Sequence, residues 1–196
     1  KRYGSQLLIL GHHYQRVEII ELADLVGDSF GLSKSASLQN DAEFVVFCGV
    51  RFMAESAKIL AQLNQKVFIP NIEAGCPLSD MADIVDVQMA WTDINQIIGE
   101  SKIVPITYMN SSSELKSFCG QNMGIVCTSR NAEKAFEWAF STFDKLFFFP
   151  DKNLGLNSAI KLNIPLEEII IWNPDEPLGG NSEKAINDSK VILWNG

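Results

Sequence analysis

Short, nearly continuous apolar runs recur along the chain, and they limit what it can fold into. They cover Leu7–Leu10, Phe44–Phe47, Lys66–Ile69, Ile103–Tyr108, Gly124–Val126, Leu146–Phe149, Ile169–Trp172 and Val191–Trp194. Each is too short to be a core helix, and turn residues bound it, so each reads as a strand. Stretches of helical period lie between several of them. Glu18–Val26 places Ile19, Ile20, Leu22, Ala23 and Val26 largely on one face. Phe52–Leu63 does the same with Met53, Ala57, Leu60 and Leu63, and Ala132–Phe143 with Ala135, Phe136, Ala139 and Phe143. Strands apolar on both faces that alternate with helices predict an α/β chain with parallel sheets covered on both sides.

The order of elements repeats. Strand, His12-His13-Tyr14, helix, strand, Cys48-Gly49, helix, strand and Pro70-Asn71 fill the first half. Strand, Asn110-Ser111-Ser112, helix, strand, Cys127-Thr128-Ser129, helix, strand and Pro150-Asp151 fill the second. This reads as two β-α-β-α-β units, residues 1–90 and 91–196, with the boundary falling near 85–100.

Composition narrows the function. Hydrophobic residues are 46% of the chain and charged residues 20%, enough for a core and too little charge for a disordered chain. A net charge of −8 without a basic run argues against a nucleic-acid groove. No apolar stretch reaches the ~18 residues of a membrane span, and Lys1-Arg2 lead into a strand-like segment with no signal peptide. The expectation is a soluble cytoplasmic protein that binds neither nucleic acid nor membrane.

The polar residues gather at proposed strand ends, where open parallel sheets bind ligands. The chain's 2 histidines are adjacent in Gly11-His12-His13-Tyr14, which pairs an imidazole with a phenol. Strand alternation turns only one of them toward a site. Gly27-Asp28-Ser29-Phe30 reads as a helix C-cap and turn or as an anion-binding hydroxyl. Tyr108-Met109-Asn110 ends a strand, and Ser113 reads as binding or capping chemistry. Cys127-Thr128-Ser129-Arg130 would meet an anion at a helix start, or Ser129 would cap it. Asp151-Lys152 reads as site or turn. Among 4 cysteines without a C-x-x-C pair, Cys76 stands apart. It lies in the loop Gly75-Cys76-Pro77 after a strand read as buried, where the thiol is either an inert small hydrophobe or a thiolate suited to a soft metal or an iron–sulfur cluster, and one Cys alone cannot make a site.

Taken together, Ile9–Gln15, Leu22–Ser29, Phe47–Leu60, Pro70–Pro77, Tyr108–Asn110, Val126–Asn131 and Phe149–Gly155 resemble the quinolinate synthase family of de novo NAD biosynthesis. The resemblance implies condensation of iminoaspartate with dihydroxyacetone phosphate, and a functional link to L-aspartate oxidase. It implies repeated three-layer α/β/α domains in a pseudo-threefold array, of which this chain carries about two. It implies a [4Fe–4S] cluster held by three cysteines, with Cys76 the first. His12 is then the substrate-binding histidine and Tyr14 the acid–base tyrosine. Ser29, Tyr108, Asn110 and Ser129 hold carboxylate or phosphate groups, and Cys48, Cys119 and Cys127 are structural. The segment Val191–Gly196 resembles the strand before the second cluster cysteine. The third domain, with its cysteine and catalytic glutamate, is missing, so the chain reads as an inactive fragment. The rival reading is a non-catalytic α/β module for a small phosphorylated or dicarboxylate ligand.

Overall fold

A computed structural model describes residues 2–99 and 102–196. Lys1, Glu100 and Ser101, which the expected domain ranges include, lie outside the described residues. The chain divides into two compact units, Lys1–Cys76 and Pro77–Gly196. Both are α/β, and both sheets are wholly parallel, as the apolar runs predict.

The first unit contains β1 (Leu7–His12), α1 (Val17–Ile20), β2 (Leu25–Gly27), α2 (Ser29–Ser37), β3 (Phe44–Cys48), α3 (Arg51–Leu60) and β4 (Lys66–Phe68). The strand order is β2-β1-β3-β4. Leu8, Leu10, Val45 and Phe47 are buried, whereas Leu7, Ile9, Phe44 and Val46 are half-buried. The helices explain this alternation. Helices α2 and α3 pack together over one face. The other face carries α1 at Gly11, where an added Cβ would meet the Ala23 Cβ at 2.9 Å and Ile20 Cδ1 at 3.2 Å. Glycine is needed there for α1 to lie close against β1.

The second unit contains α4 (Ile84–Ile98), β5 (Ile103–Tyr108), α5 (Ser113–Gln121), β6 (Ile125–Cys127), α6 (Ala132–Phe140), β7 (Lys145–Phe149), α7 (Lys152–Lys161), β8 (Ile169–Trp172), α8 (Glu183–Asp188) and β9 (Val191–Trp194). The strand order is β6-β5-β7-β9-β8. Phe147, Phe149, Ile192 and Trp194 bury into a core with Val87, Ala90, Ile94, Leu115 and Ile186 from α4, α5 and α8. Leu146, Phe148, Val191 and Leu193 bury into the opposite core with Ala135, Phe136, Ala139 and Ala159 from α6 and α7. A strand covered on both faces must be apolar at every position, which is why Leu146–Phe149 reads as one run. Each buried phenylalanine is worth about 1.5–3 kcal/mol.

Several expectations fail locally. The helix expected over Glu18–Val26 ends at Ile20, and the chain then forms β2. Asp24 is responsible. Its carboxylate accepts from the Ile9 N–H at 2.8 Å, and its own N–H donates to the Ile9 carbonyl at 2.8 Å. This clamp draws the chain into β pairing, with Leu10 beside Leu25 and His12 beside Gly27. Gly27, expected as a helix C-cap, is instead the last residue of β2, and α2 follows at once. Asp28 is its N-cap and accepts from the Gly31 N–H at 2.7 Å. Helix α3 stops at Leu60, and Leu63 is fully exposed. The longest described helix, α4, is capped by Asp83 and was not read from the sequence.

With β2 in place the repeat realigns. In each unit the first strand is flanked by the second on one side and the third on the other. The His13 N–H donates to the Gly27 carbonyl at 3.1 Å, and the Met109 N–H to the Cys127 carbonyl at 2.7 Å. Hence Gly27-Asp28-Ser29, and not Cys48-Gly49, is the counterpart of Cys127-Thr128-Ser129. His12 corresponds to Tyr108 and Tyr14 to Asn110.

The placement of β6 beside β5 depends on Gly124. An added Cβ would fall 2.0 Å from the Pro105 carbonyl oxygen and 3.0 Å from that of Cys119, and no rotamer relieves a backbone contact. Gly124→Ala is therefore expected to lower stability by about 1–3 kcal/mol. A urea midpoint unchanged from the parent would contradict this packing.

Candidate functional site

The residues expected to act lie at the carboxyl edge of each unit's own sheet. In both units the chain leaves the first strand toward the second on one side and places the third on the other. The carboxyl end of the first strand is therefore the point where the strand order diverges, the place at which ligands of such open sheets bind. His12 occupies that position in the first unit and Tyr108 in the second.

His12 ends β1 and is only 5% exposed. Its Nδ1 accepts from the Tyr14 N–H in a long bond of 3.4 Å. A neutral imidazole that accepts at Nδ1 carries its proton on Nε2. Burial lowers the proton affinity of His12, and neighbouring His13 lowers it further, while the Asp28 carboxylate partly restores it. His13 lies just past the strand, in the turn, so the expectation that the two imidazoles point apart fails. Their rings stack with centroids 4.4 Å apart at 26°. Tyr14 is 83% exposed, its ring edge-on to His12 at 4.8 Å and to His13 at 4.4 Å.

Ser29 is the first residue of α2 and is half-buried, beside the capping Asp28. Asp28 is a residue that the sequence reading passed over. Its position before a serine at a helix start was the available signal.

In the second unit, Tyr108 and Asn110 are both half-buried. Their turn is closed from within. The Ser111 hydroxyl donates to the Tyr108 carbonyl at 2.7 Å and accepts from the Thr107 hydroxyl at 2.9 Å. The cap of α5 is Ser112, which accepts from the Leu115 N–H at 3.3 Å, and not Ser113. Ser129 is exposed and does not cap α6. Asn131 occupies the N-cap position without a side-chain cap bond, since its Oδ1 accepts instead from the Thr128 N–H at 2.6 Å and hydroxyl at 2.9 Å. Asp151 is the N-cap of α7, its carboxylate accepting from the Asn153 and Leu154 N–H groups at 2.8 and 3.1 Å.

Cys76 is half-buried in the loop after β4. That strand is an exposed edge and not a buried one: Phe68 is 49% exposed and Lys66 lies at the surface. The loop has internal order. The Asn71 side chain accepts from the Glu73 N–H at 3.0 Å, and the Ala74 N–H donates to the Asn71 carbonyl at 3.2 Å. The Ala74 carbonyl takes the Arg51 N–H at 2.8 Å, which ties the loop to the start of α3. The other thiols suit metal less. Burial raises Cys48, pushes Cys127 up to about 12, and holds Cys119 well above its ordinary value, with Cys127 adding to the last. Among the described residues no group of three or more His, Cys, Asp or Glu could hold a metal ion. Among the same residues no helix is long and apolar enough to cross a membrane.

The family model described as Quinolinate synthetase A protein matches residues 1–168. The chain is 48% identical over 193 residues to a curated quinolinate synthase of Corynebacterium glutamicum, covering 98% of this chain and 49% of that protein. It is 46% identical over 196 residues to one of Acidobacterium capsulatum, covering 100% and 52%. It is 48% identical over 193 residues to one of Haloarcula marismortui, covering 98% and 51%. The chain thus spans about half the length of the curated relatives it matches.

Because the folded state holds His12 with lowered proton affinity, the unfolded chain binds its proton more readily. Stability is therefore lost as pH falls below ~6.5, the ordinary histidine value. Between about pH 7.5 and 5.5 the thermal midpoint is expected to fall further in the parent than in His12→Gln. Equal falls would show that His12 is not held in this way.

Proposed function

The chain belongs to the quinolinate synthetase A protein family, and on that premise we propose that the complete protein condenses iminoaspartate with dihydroxyacetone phosphate to form quinolinate. The observation that carries this reading is the gathering of family-matching residues at the carboxyl edges of two parallel sheets whose first three strands share one order, within a family match over residues 1–168. The two sheets are the first two of three similar domains in this reading. A non-catalytic module is not favoured, since the curated relatives are synthases.

The roles follow from local chemistry. His12, with its proton on Nε2, is a neutral hydrogen-bond donor and suits a substrate carbonyl or carboxylate oxygen. Tyr14 is exposed beside it, so its phenol can reach a bound molecule and move a proton in the condensation. Ser29 opens α2, and Ser129, its counterpart after β6, lies in the turn three residues before α6, so each hydroxyl stands near a helix N-terminus whose N–H groups favour anionic oxygens. The α2 start already holds the Asp28 carboxylate, whereas the α6 start has no side-chain cap. The turn that leads from Ser129 into α6 is therefore the better place for a phosphate or carboxylate group. Tyr108 and Asn110 add a phenol and an amide at the second sheet's edge.

Cys76 would hold one iron of a [4Fe–4S] cluster, whose remaining cysteine ligands come from the rest of the complete protein. Such a cluster, with one iron open, supplies a Lewis acid for a substrate oxygen. On this reading the 196-residue chain alone is inactive. The reading also carries a cytoplasmic location and a supply of iminoaspartate by L-aspartate oxidase.

The direct test is the complete protein purified without oxygen, which is expected to be brown, to contain iron and to release quinolinate. A colourless protein that makes no quinolinate would end the proposal. Cys76→Ser in the complete protein is expected to abolish the cluster, and full iron content in that variant would remove Cys76 as a ligand. Tyr14→Phe is expected to slow turnover by about 100-fold or more while changing KM little. Unchanged turnover would remove its proton-transfer role.

A further inference from the structure

His13 has no part in the roles just described, yet it has a more specific setting than an exposed turn residue needs. Its Nδ1 lies 3.0 Å from the Gly27 carbonyl oxygen. A carbonyl can only accept, so Nδ1 carries the proton and donates. The backbone N–H of His13 donates to the same oxygen at 3.1 Å. Main chain and ring are therefore both fixed to the end of β2. The ring so fixed lies nearly parallel to the buried His12 ring, centroids 4.4 Å apart. Tyr14 closes the group edge-on to both rings, and its N–H approaches His12 Nδ1.

We propose that His13 is a positioning residue: its ring, held by the Gly27 carbonyl, braces the His12 imidazole so that His12 presents Nε2–H at the carboxyl edge. The occupant recognised is a neutral or anionic oxygen acceptor, a carbonyl or carboxylate, because the presented group donates. This deepens the reading of His12 as a substrate-binding residue and rests on it. Burial and the neighbouring His13 lower the proton affinity of His12, and the Asp28 carboxylate only partly restores it, which favours the neutral ring as a donor at Nε2.

Long-range nitrogen–proton spectra of the labelled imidazoles of the complete protein test this, with the signals of these 2 histidines assigned by His12→Gln and His13→Asn. The expected result is one ring in the Nε2–H tautomer with a lowered titration midpoint, His12, and one in the Nδ1–H tautomer, His13. In His13→Ala the His12 ring is expected to become a mixture of tautomers, with its midpoint moving up. In His13→Asn, whose amide N–H can replace Nδ1–H toward Gly27, the single tautomer is expected to remain. A parent His12 in the Nδ1–H form, or a His12 signal identical in His13→Ala, would overturn the proposal. In the complete protein, His13→Ala is expected to raise KM about three- to tenfold, the effect of one weakened hydrogen bond, with kcat changed less. Equal KM values alongside the expected spectra would remove the link to substrate. Absence of quinolinate synthesis from the parent itself would defeat the functional reading, and the spectra would still decide the bracing.

Discussion

Parallel pairing about a central first strand is the constraint on which the rest depends. β2 and β3 lie on opposite sides of β1, and β6 and β7 lie on opposite sides of β5. In a parallel sheet the crossovers must leave from the carboxyl edge and return to the amino edge. When consecutive crossovers diverge, the carboxyl end of the first strand is left uncovered. His12 and Tyr108 are the last residues of those two strands. Their place at that edge is thus a consequence of strand order, and the helices on both faces then hold that order in place.

The same arrangement explains why the flanking residues are what they are. The flanking strand hands the chain directly to a helix, as Gly27 does to α2 through Asp28. A helix start brings unsatisfied N–H groups and a cap to the edge. In the first unit the cap is a carboxylate, and it lies close enough to influence His12. In the second, Asn131 turns its oxygen to Thr128 and leaves the α6 start without a side-chain cap. Two equivalent positions therefore have different electrostatics.

Much of this was legible in the sequence. Leu146–Phe149 and Val191–Trp194 are apolar at every position because two cores claim alternate side chains, and that pattern identifies a doubly covered parallel strand. The location of His12, Tyr108 and Ser129 after strands followed from the same runs. What was lost came from side-chain clamps that periodicity does not register. Asp24 converts the second half of an apparent helix into β2, and without β2 the repeat was aligned one element out. Cys48 then took the place belonging to Gly27. The stacking of His12 on His13 was also invisible, because alternation holds only while the strand continues, and β1 ends at His12. The family resemblance, carried by several short segments together, was more informative than any one of them.

The central claim is that ligand binding in this family member occurs at the carboxyl edges of these two sheets. Amide hydrogen exchange on the complete protein, with and without dihydroxyacetone phosphate, tests it most directly. The account predicts slowed exchange in peptides covering residues 12–14, 27–31, 108–112 and 127–132, with the amino ends of the same strands unchanged. Slowed exchange confined to the amino edges, or none in those four segments at saturating ligand, would contradict it.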